Sequence, residues 1–418
     1  MSAMDREIGL VLAGGGARGA YEAGALSVML PALERRGERP TVLVGTSVGA
    51  LNATYLAGAA HLPAEQAADE LLARWREATK GEVIRPILLR QAPLTVLRYA
   101  GEILSLPGVR LSSLLDPRPL EGNLRRWIDW PALRENIDEQ RIDVVSIVAT
   151  AARSGRSVLF CDGCHSRELH RSHVIDYVRA SLTVEHVRAS SAIPILFPPV
   201  RVETPTEARG WYFDGGTRLN APIKPALDLG ADRVMVIATE SVEALSNEDG
   251  RHDGEPPDFG DGALHLLQGA LVDPLIEDLR QLADVNTFFT DGDPHLHSYR
   301  RARDKPPYRE VPYVFVGPAQ PGAIGALALE VFRSRYRGLR ALRSPEMVLL
   351  NRLLGGAGPT HGDLLSYLFF DREFIDALID MGRQDAGRCL AAKPDDPWRR
   401  ELLDSFARQP SSSRPPER

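Results

Sequence analysis

Three stretches of this sequence carry residue types that could do chemistry, and each needs a particular backbone to do it. The first is Gly14-Gly15-Gly16-Ala17-Arg18-Gly19, which follows a short apolar run and opens a helical pattern. Small residues there expose successive backbone N–H groups at a helix N-terminus, where the dipole also favours negative charge. Such a turn can hold a pyrophosphate or a transient oxyanion. Its G-x-G-x-x-G spacing suits a dinucleotide, and Glu34 follows at about the distance of a ribose-binding acid. Glu34 falls inside the helical run, however, and not at the end of a second strand. The second stretch is Gly45-Thr46-Ser47-Val48-Gly49, directly after Val42-Leu43-Val44. A G-x-S-x-G between strand and helix is a nucleophile elbow, in which flanking Gly45 and Gly49 relieve crowding around a strained, exposed serine. The third is Asp214-Gly215-Gly216, where a carboxylate at a strand end can approach another strand end closely.

A serine nucleophile needs a base. The histidines after Asp214 are His252, His265, His295, His297 and His361, and none directly follows a clear core strand. Either a histidine brought in by the fold or a carboxylate acting directly can fill the role.

Positioning these groups takes alternating strands and helices. Strands are expected at 8–13, 42–44, 142–150, 157–161, 211–213, 233–239 and 311–316. Helices are expected at 17–36, 47–59, 63–80, 173–191, 222–229, 264–289 and 345–383, the last with a Gly-rich break at 355–358. The β-α-β-α start implies parallel pairing with a right-handed crossover. One α/β catalytic domain is expected over 6–240, then a flexible acidic loop at 241–261. A mainly helical C-terminal region (262–400) is expected to pack on that domain, and a polar tail (409–418) to be disordered.

Composition narrows the classes. With 44% hydrophobic and 25% charged residues in 418, the chain reads as globular. Lys and Arg total 50 against 56 Asp and Glu, so the net charge of −6 argues against a nucleic-acid partner. The three cysteines, Cys161, Cys164 and Cys389, point to a reducing compartment. The N-terminus shows no basic region before a cleavage site, and no stretch reads as a membrane span, so a cytoplasmic protein is expected. Cys161-x-x-Cys164 with His165 lacks the second ligand pair a zinc site wants and reads as a turn carrying two thiols. Trp127 and Trp130 read as packing.

The trio GGGARG, GTSVG and DGG, in this order, resembles the patatin-like phospholipase family, as do ASSAIPILFPPV (189–200) and DGGTRLNAPIKPALDLGADRV (214–234). The resemblance covers roughly 6–240. It implies a three-layer α/β fold, with a mainly parallel central sheet flanked by helices and here extended by the C-terminal helices. It also implies a serine esterase of lipid metabolism that needs no metal or cofactor. Carried over by motif, Ser47 is the nucleophile and Asp214 the general base of a Ser-Asp dyad. Gly14, Gly15, Gly16, Ala17, Arg18 and Gly19 form the oxyanion hole, and the expected reaction is hydrolysis of an acyl ester of a phospholipid or related lipid. The Arg18 side chain would orient a lipid head group or lie on the surface of the first helical turn. Two other readings compete, a nucleotide-binding regulatory module built on G-x-G-x-x-G and a silent scaffold on the hydrolase fold. Finally, 83–115 is apolar, broken by Pro86, Pro93 and Pro107, and carries four arginines against Glu102. It is expected either to touch a membrane or micelle at the lipid entrance, as in peripheral attachment, or to form a helical cap on the sheet.

Overall fold

The computed structural model describes residues 7–78, 85–86, 115–116, 118–164, 174–194, 196–242, 286, 310–336 and 359–401. The expected lipid-entrance segment, apart from its two ends, lies outside these residues. So do most of the acidic loop, the helix at 264–289 except Asn286, the break at 355–358 and the tail.

Short runs of Val, Ile and Leu build the centre. β1 (Ile8–Leu12) is followed by α1 (Gly19–Glu34), β2 (Pro40–Thr46), α2 (Val48–Gly58) and α3 (Ala64–Glu77). β3 (Arg85–Pro86) and β4 (Leu115–Asp116) form a separate two-stranded ladder. Then come α4 (Arg118–Trp127), α5 (Trp130–Asp138), β5 (Val144–Ala151), β6 (Ser157–Asp162), β7 (Ile175–Arg179) and α6 (Val184–Ser190). β8 (Val200–Val202), β9 (Gly210–Asp214), α7 (Ile223–Asp228), β10 (Arg233–Ile237) and β11 (Tyr313–Val316) complete the strands. The chain closes with α8 (Ala323–Arg335), α9 (Pro359–Leu368) and α10 (Arg372–Ala392).

Among the described residues the central sheet has nine strands, in the order β11-β10-β1-β2-β5-β6-β7, with β8 and β9 branching from β5. β11, β10, β1, β2 and β5 run parallel, and β6 reverses against β5. Parallel strands are covered on both faces, so their residues are apolar on both. Accordingly Ile8, Leu10 and Leu12 face one core while Val11 and Ala13 face the other.

Two expectations are corrected. Residues 173–191 are not one helix: Ile175–Arg179 pairs parallel to β6, and the helix begins at Val184. Ile175, Tyr177 and Val178 are β-branched or aromatic, and pairing with β6 overrides the apparent helical spacing. The helix begins behind a capping box, in which Thr183 and His186 satisfy each other's backbone N–H groups. The stretch 345–383, expected to break at 355–358, is also interrupted between Leu368 and Arg372. Asp371 caps α10 by accepting the Glu373 N–H (2.9 Å), so α9 stops before it and α10 runs on to Ala392. Helix α8 was not anticipated, because its Gly- and Ala-rich start reads equally well as a turn.

The C-terminal elements join the core itself. β11 extends the sheet beside β10, and α10 crosses α1 where Gly24 and Gly382 allow backbone contact. A Cβ at Gly382 would stand 2.1 Å from the Tyr21 carbonyl oxygen. A charged clamp adds to this. Arg18, 0% exposed, donates from Nε to Ser366 Oγ (2.7 Å) and from Nη2 to Asp363 Oδ1 (3.1 Å), and pairs with Glu240. Its guanidinium also lies 4.3 Å from the Tyr367 ring centroid. Burial disfavours its charge, but Glu240, Tyr367 and Asp363 outweigh that and raise its pKa, so it stays charged.

Gly382→Ala should cost about 1–3 kcal/mol by overpacking the α1–α10 crossing, read as a lower urea midpoint at unchanged m. Arg18→Met should cost more, about 3–5 kcal/mol, because it strands two largely buried carboxylates. Adding Glu240→Gln to Arg18→Met should recover part of that loss, and strict additivity of the two would refute the clamp.

Candidate active site

β2 ends at Thr46 and α2 begins at Val48, leaving Ser47 to turn the corner alone. Its backbone sits at φ 54°, ψ −120°, a conformation that costs a non-glycine residue on the order of 1–3 kcal/mol. The flanking glycines make the turn sterically possible. A Cβ at Gly45 would lie 2.2 Å from the Gly49 carbonyl oxygen, and one at Gly49 2.3 Å from that of Leu12. The Ser47 N–H donates to Ser190 Oγ (2.8 Å), which donates onward to the Val148 carbonyl (2.6 Å). The elbow is thereby tied to the neighbouring strand.

Strand pairing brings Asp214 to this corner. One edge of β5 is taken by β6. On the other, β2 pairs as far as Thr46↔Val148, and β9 takes over at Asp214↔Ala149, running the opposite way. The ends of β2 and β9 therefore abut. Ser47 Oγ donates to Asp214 Oδ2 at 2.6 Å, and the Gly216 N–H donates to Oδ1 at 2.7 Å. The Asp214 backbone is held by Ala192, Thr150 and Thr217. Burial pushes the Asp214 carboxyl up to about 7, against the opposing effect of the Ser47 and Gly216 hydrogen bonds.

The Gly-rich turn lies beside the serine: a Cβ at Gly14 would be 3.3 Å from Ser47 Cβ. Not all of its amides are open. The Gly14 N–H donates to Asn220 Oδ1 (3.0 Å), and those of Arg18 and Gly19 are spent inside the helical start. Gly15 and Gly16 N–H have no acceptor among the described residues. Gly16 has φ +58°, and its backbone packs under the Tyr367 carbonyl, where a Cβ would be only 2.2 Å away. Ala17 is buried in the short 3-10 turn that follows. Both sequence expectations for the Arg18 side chain are corrected. It is neither on the surface nor open to a head group, because its donors are consumed by Glu240, Asp363 and Ser366.

A cleft of about 600 Å3 opens onto Ser47 and Gly16 and is lined almost wholly by apolar groups, including Leu51, Trp75, Trp127, Phe197 and Phe370. Trp127, expected only to pack, does pack edge-on against Trp75 at 6.3 Å, and it also walls this cleft. Another cavity, of about 470 Å3, includes Glu34, at the far end of α1 from the Gly-rich turn. Sixteen helical residues span about 24 Å, too far for Glu34 to share a nucleotide with that turn.

His252, His265, His295 and His297 lie outside the described residues, as does the His361 side chain. His186 is buried, bonded to Thr183 and Thr204, and pushed down to about 4 chiefly by desolvation. Among the described residues no histidine bonds to Ser47 or Asp214. Cys161 and Cys164 are buried thiols at the end of β6, not joined by a disulfide. Sequence reading gave no role to Ser190, Thr150, Asn220 or Tyr367, although Ser190 and Asn220 fall within the family-like stretches 189–200 and 214–234.

Compared with known families, residues 10–227 match the pattern described as patatin-like phospholipase. No curated protein matches the chain. Among solved structures, VipD from Legionella pneumophila is 14% identical with a TM-score of 0.35, over 93% of this chain and 67% of that one. Human GIVD cytosolic phospholipase A2, in complex with methyl gamma-linolenyl fluorophosphonate, is 13% identical with a TM-score of 0.38, over 93% of this chain and 58% of the other. The ExoU–SpcU complex from the type III secretion system of Pseudomonas aeruginosa gives 20% identity and a TM-score of 0.26, over 96% and 73%. With the matched pattern spanning more than half of its 418 residues, the chain belongs to the patatin-like phospholipase family, a family of lipid hydrolases.

Proposed function

We propose that this protein is a carboxylic-ester hydrolase that cleaves acyl esters of phospholipids or related lipids, with Ser47 as nucleophile and Asp214 as general base. The observation that carries this reading is the 2.6 Å hydrogen bond from Ser47 Oγ to Asp214 Oδ2 at the wall of an apolar cleft. Ser47 Oγ attacks the ester carbonyl carbon as its proton passes to Asp214 Oδ2. The carbonyl oxygen becomes an oxyanion, and the open Gly15 and Gly16 amides are the donors that receive it. Donors preset for that charge are worth about 3–4 kcal/mol each. The tetrahedral species collapses as Asp214 returns the proton to the departing alkoxide, leaving an acyl-Ser47 ester. Asp214 then takes a proton from water, which attacks the acyl carbon, and the second collapse releases the fatty acid and restores Ser47.

The surroundings support this division of labour. Asp214 is held near 7 by burial, close to the ideal for a base working near neutral pH. Gly216 occupies its Oδ1, so only Oδ2 faces the serine. The acyl chain lies in the cleft beside Leu51, Trp75 and Trp127, where it meets almost no polar atoms.

Ser47→Ala and Asp214→Asn should each lower ester hydrolysis at least about a thousandfold, and the double variant should be little worse than either. A fluorophosphonate should label Ser47 in the wild type. Full activity in either single variant would refute the dyad. Hydrolysis should rise with pH through about 7 as Asp214 ionises. Stability should move the other way. The folded pKa of this carboxyl lies above its ordinary value, so its contribution is fully present below about 4 and is lost as pH rises through about 7. Asp214→Asn should therefore melt above wild type at alkaline pH, with the gap closing on acidification. Trp127→Ala, if folded, should shift preference toward longer or bulkier acyl chains in a chain-length panel, and an unchanged profile would place the acyl chain elsewhere.

A further inference from the structure

Trp211 stands out on the surface because it is 53% exposed in a strand whose other face is buried. On the β8–β9 ribbon, Val200, Val202 and Tyr212 point into the core, while Arg201, Glu203, Arg209 and Trp211 form the outer face. Arg201 is directly opposite Trp211 in the antiparallel register, so the two side chains share that face. Glu203 bridges Arg201 (3.0 Å) and Arg209 (3.2 Å). The β5–β6 turn adjoins the ribbon through the Ala152 N–H, which donates to the Trp211 carbonyl at 2.8 Å. That turn carries exposed Arg153, and the guanidinium of exposed Arg218 lies against its Gly155. Arg156 in the same turn is matched by Asp176. The outer patch thus sets Arg153, Arg201, Arg209 and Arg218 around one indole, against Glu203 and Glu207. It is locally basic on a chain of net charge −6.

Its location follows from the register. β9 runs toward the β2 end and stops against it at Asp214, so Trp211, three residues earlier, lies roughly 10 Å away from that corner along the strand. That places it past the carboxyl ends of β2 and β5, the same end of the sheet at which Ser47 turns. An exposed indole on rigid, hydrogen-bonded backbone contributes little packing to the protein's own core. Amphipathic rings of this kind settle at the level of lipid headgroups, and arginines around them attract anionic ones.

We propose that the Trp211 patch is the surface by which this protein docks on an anionic lipid bilayer, with the indole entering the headgroup layer and Arg153, Arg201, Arg209 and Arg218 pairing with lipid phosphates. The proposal rests on the lipid-hydrolase reading for its purpose, since docking there turns the Ser47 end of the sheet toward the membrane. It does not depend on the dyad.

The test measures binding separately from catalysis. The full chain carrying Ser47→Ala, which leaves the lipid intact, is co-sedimented with phosphatidylcholine vesicles with and without phosphatidylglycerol. Binding should require phosphatidylglycerol and weaken with added salt. Trp211→Ala should reduce it at least about fivefold, and Arg153→Glu with Arg218→Glu at least about tenfold. The same substitutions in the Ser47 background should leave hydrolysis of a water-soluble short-chain ester unchanged, which reports that the fold is intact, while hydrolysis of vesicle lipid falls. Absence of vesicle binding overturns the proposal and leaves the patch to an acidic protein partner. So does binding that ignores phosphatidylglycerol, or binding that survives either the Trp211 or the arginine substitutions. If docking behaves as expected but neither ester is hydrolysed by Ser47 protein, the dyad fails and the surface stands.

Discussion

A β-strand has only two edges, and β5 divides one of them between two partners. β6 takes the first from Val145 to Thr150, while β2 and β9 meet end to end on the second. The pairing of Ser47 with Asp214 follows from that junction. The chain leaving β2 must turn away at once to make room for β9, and it does so at Ser47 with positive φ, while Gly45 and Gly49 admit close backbone contacts within the turn and against the end of β1. The residue that ends β9 must sit against the turn, and in this sequence it is Asp214. A serine hydroxyl and a carboxylate more than 160 residues apart thereby come within hydrogen-bonding distance.

The junction lies inside the protein, and the dry surroundings act differently on the charges placed there. Among the described residues no cation lies beside Asp214, so burial shifts its equilibrium toward the neutral acid and into the range where a base can exchange protons near neutrality. Arg18 is equally buried but is met by Glu240 and Asp363, so it remains a fixed charge. A lone carboxylate in a dry site titrates, and a matched cation becomes a strut.

That strut explains why the C-terminal helices belong to the site although the family pattern ends at residue 227. α9 supplies Asp363 and Ser366 to Arg18, lays the Tyr367 carbonyl over Gly16, and presents Leu368 to the cleft. The Gly-rich turn is held from one side by Asn220 and from the other by α9. Its open amides are preset by packing and need not be ordered by a ligand.

The sequence alone determined what local rules control. A strand, a small-residue turn and a helix are specified within about ten residues, so GGGARG, GTSVG and DGG could each be placed on the right kind of junction. Their company identified the family and the α/β class. Contacts between distant segments were beyond its reach, because strand order and register are set by which surfaces bury together. The β-branched and aromatic residues near 175 are masked by an apparent helical spacing until β6 offers them an edge. Nothing near Arg18 announces burial until Glu240 and Asp363 arrive from 222 and 345 residues away. Spacing likewise made Glu34 look like a partner of the Gly-rich turn, and only the length of α1 removes it. Ser190 and Asn220 sit in stretches that resemble the family, yet they and Tyr367 gain their roles only through hydrogen bonds and close packing that exist after folding.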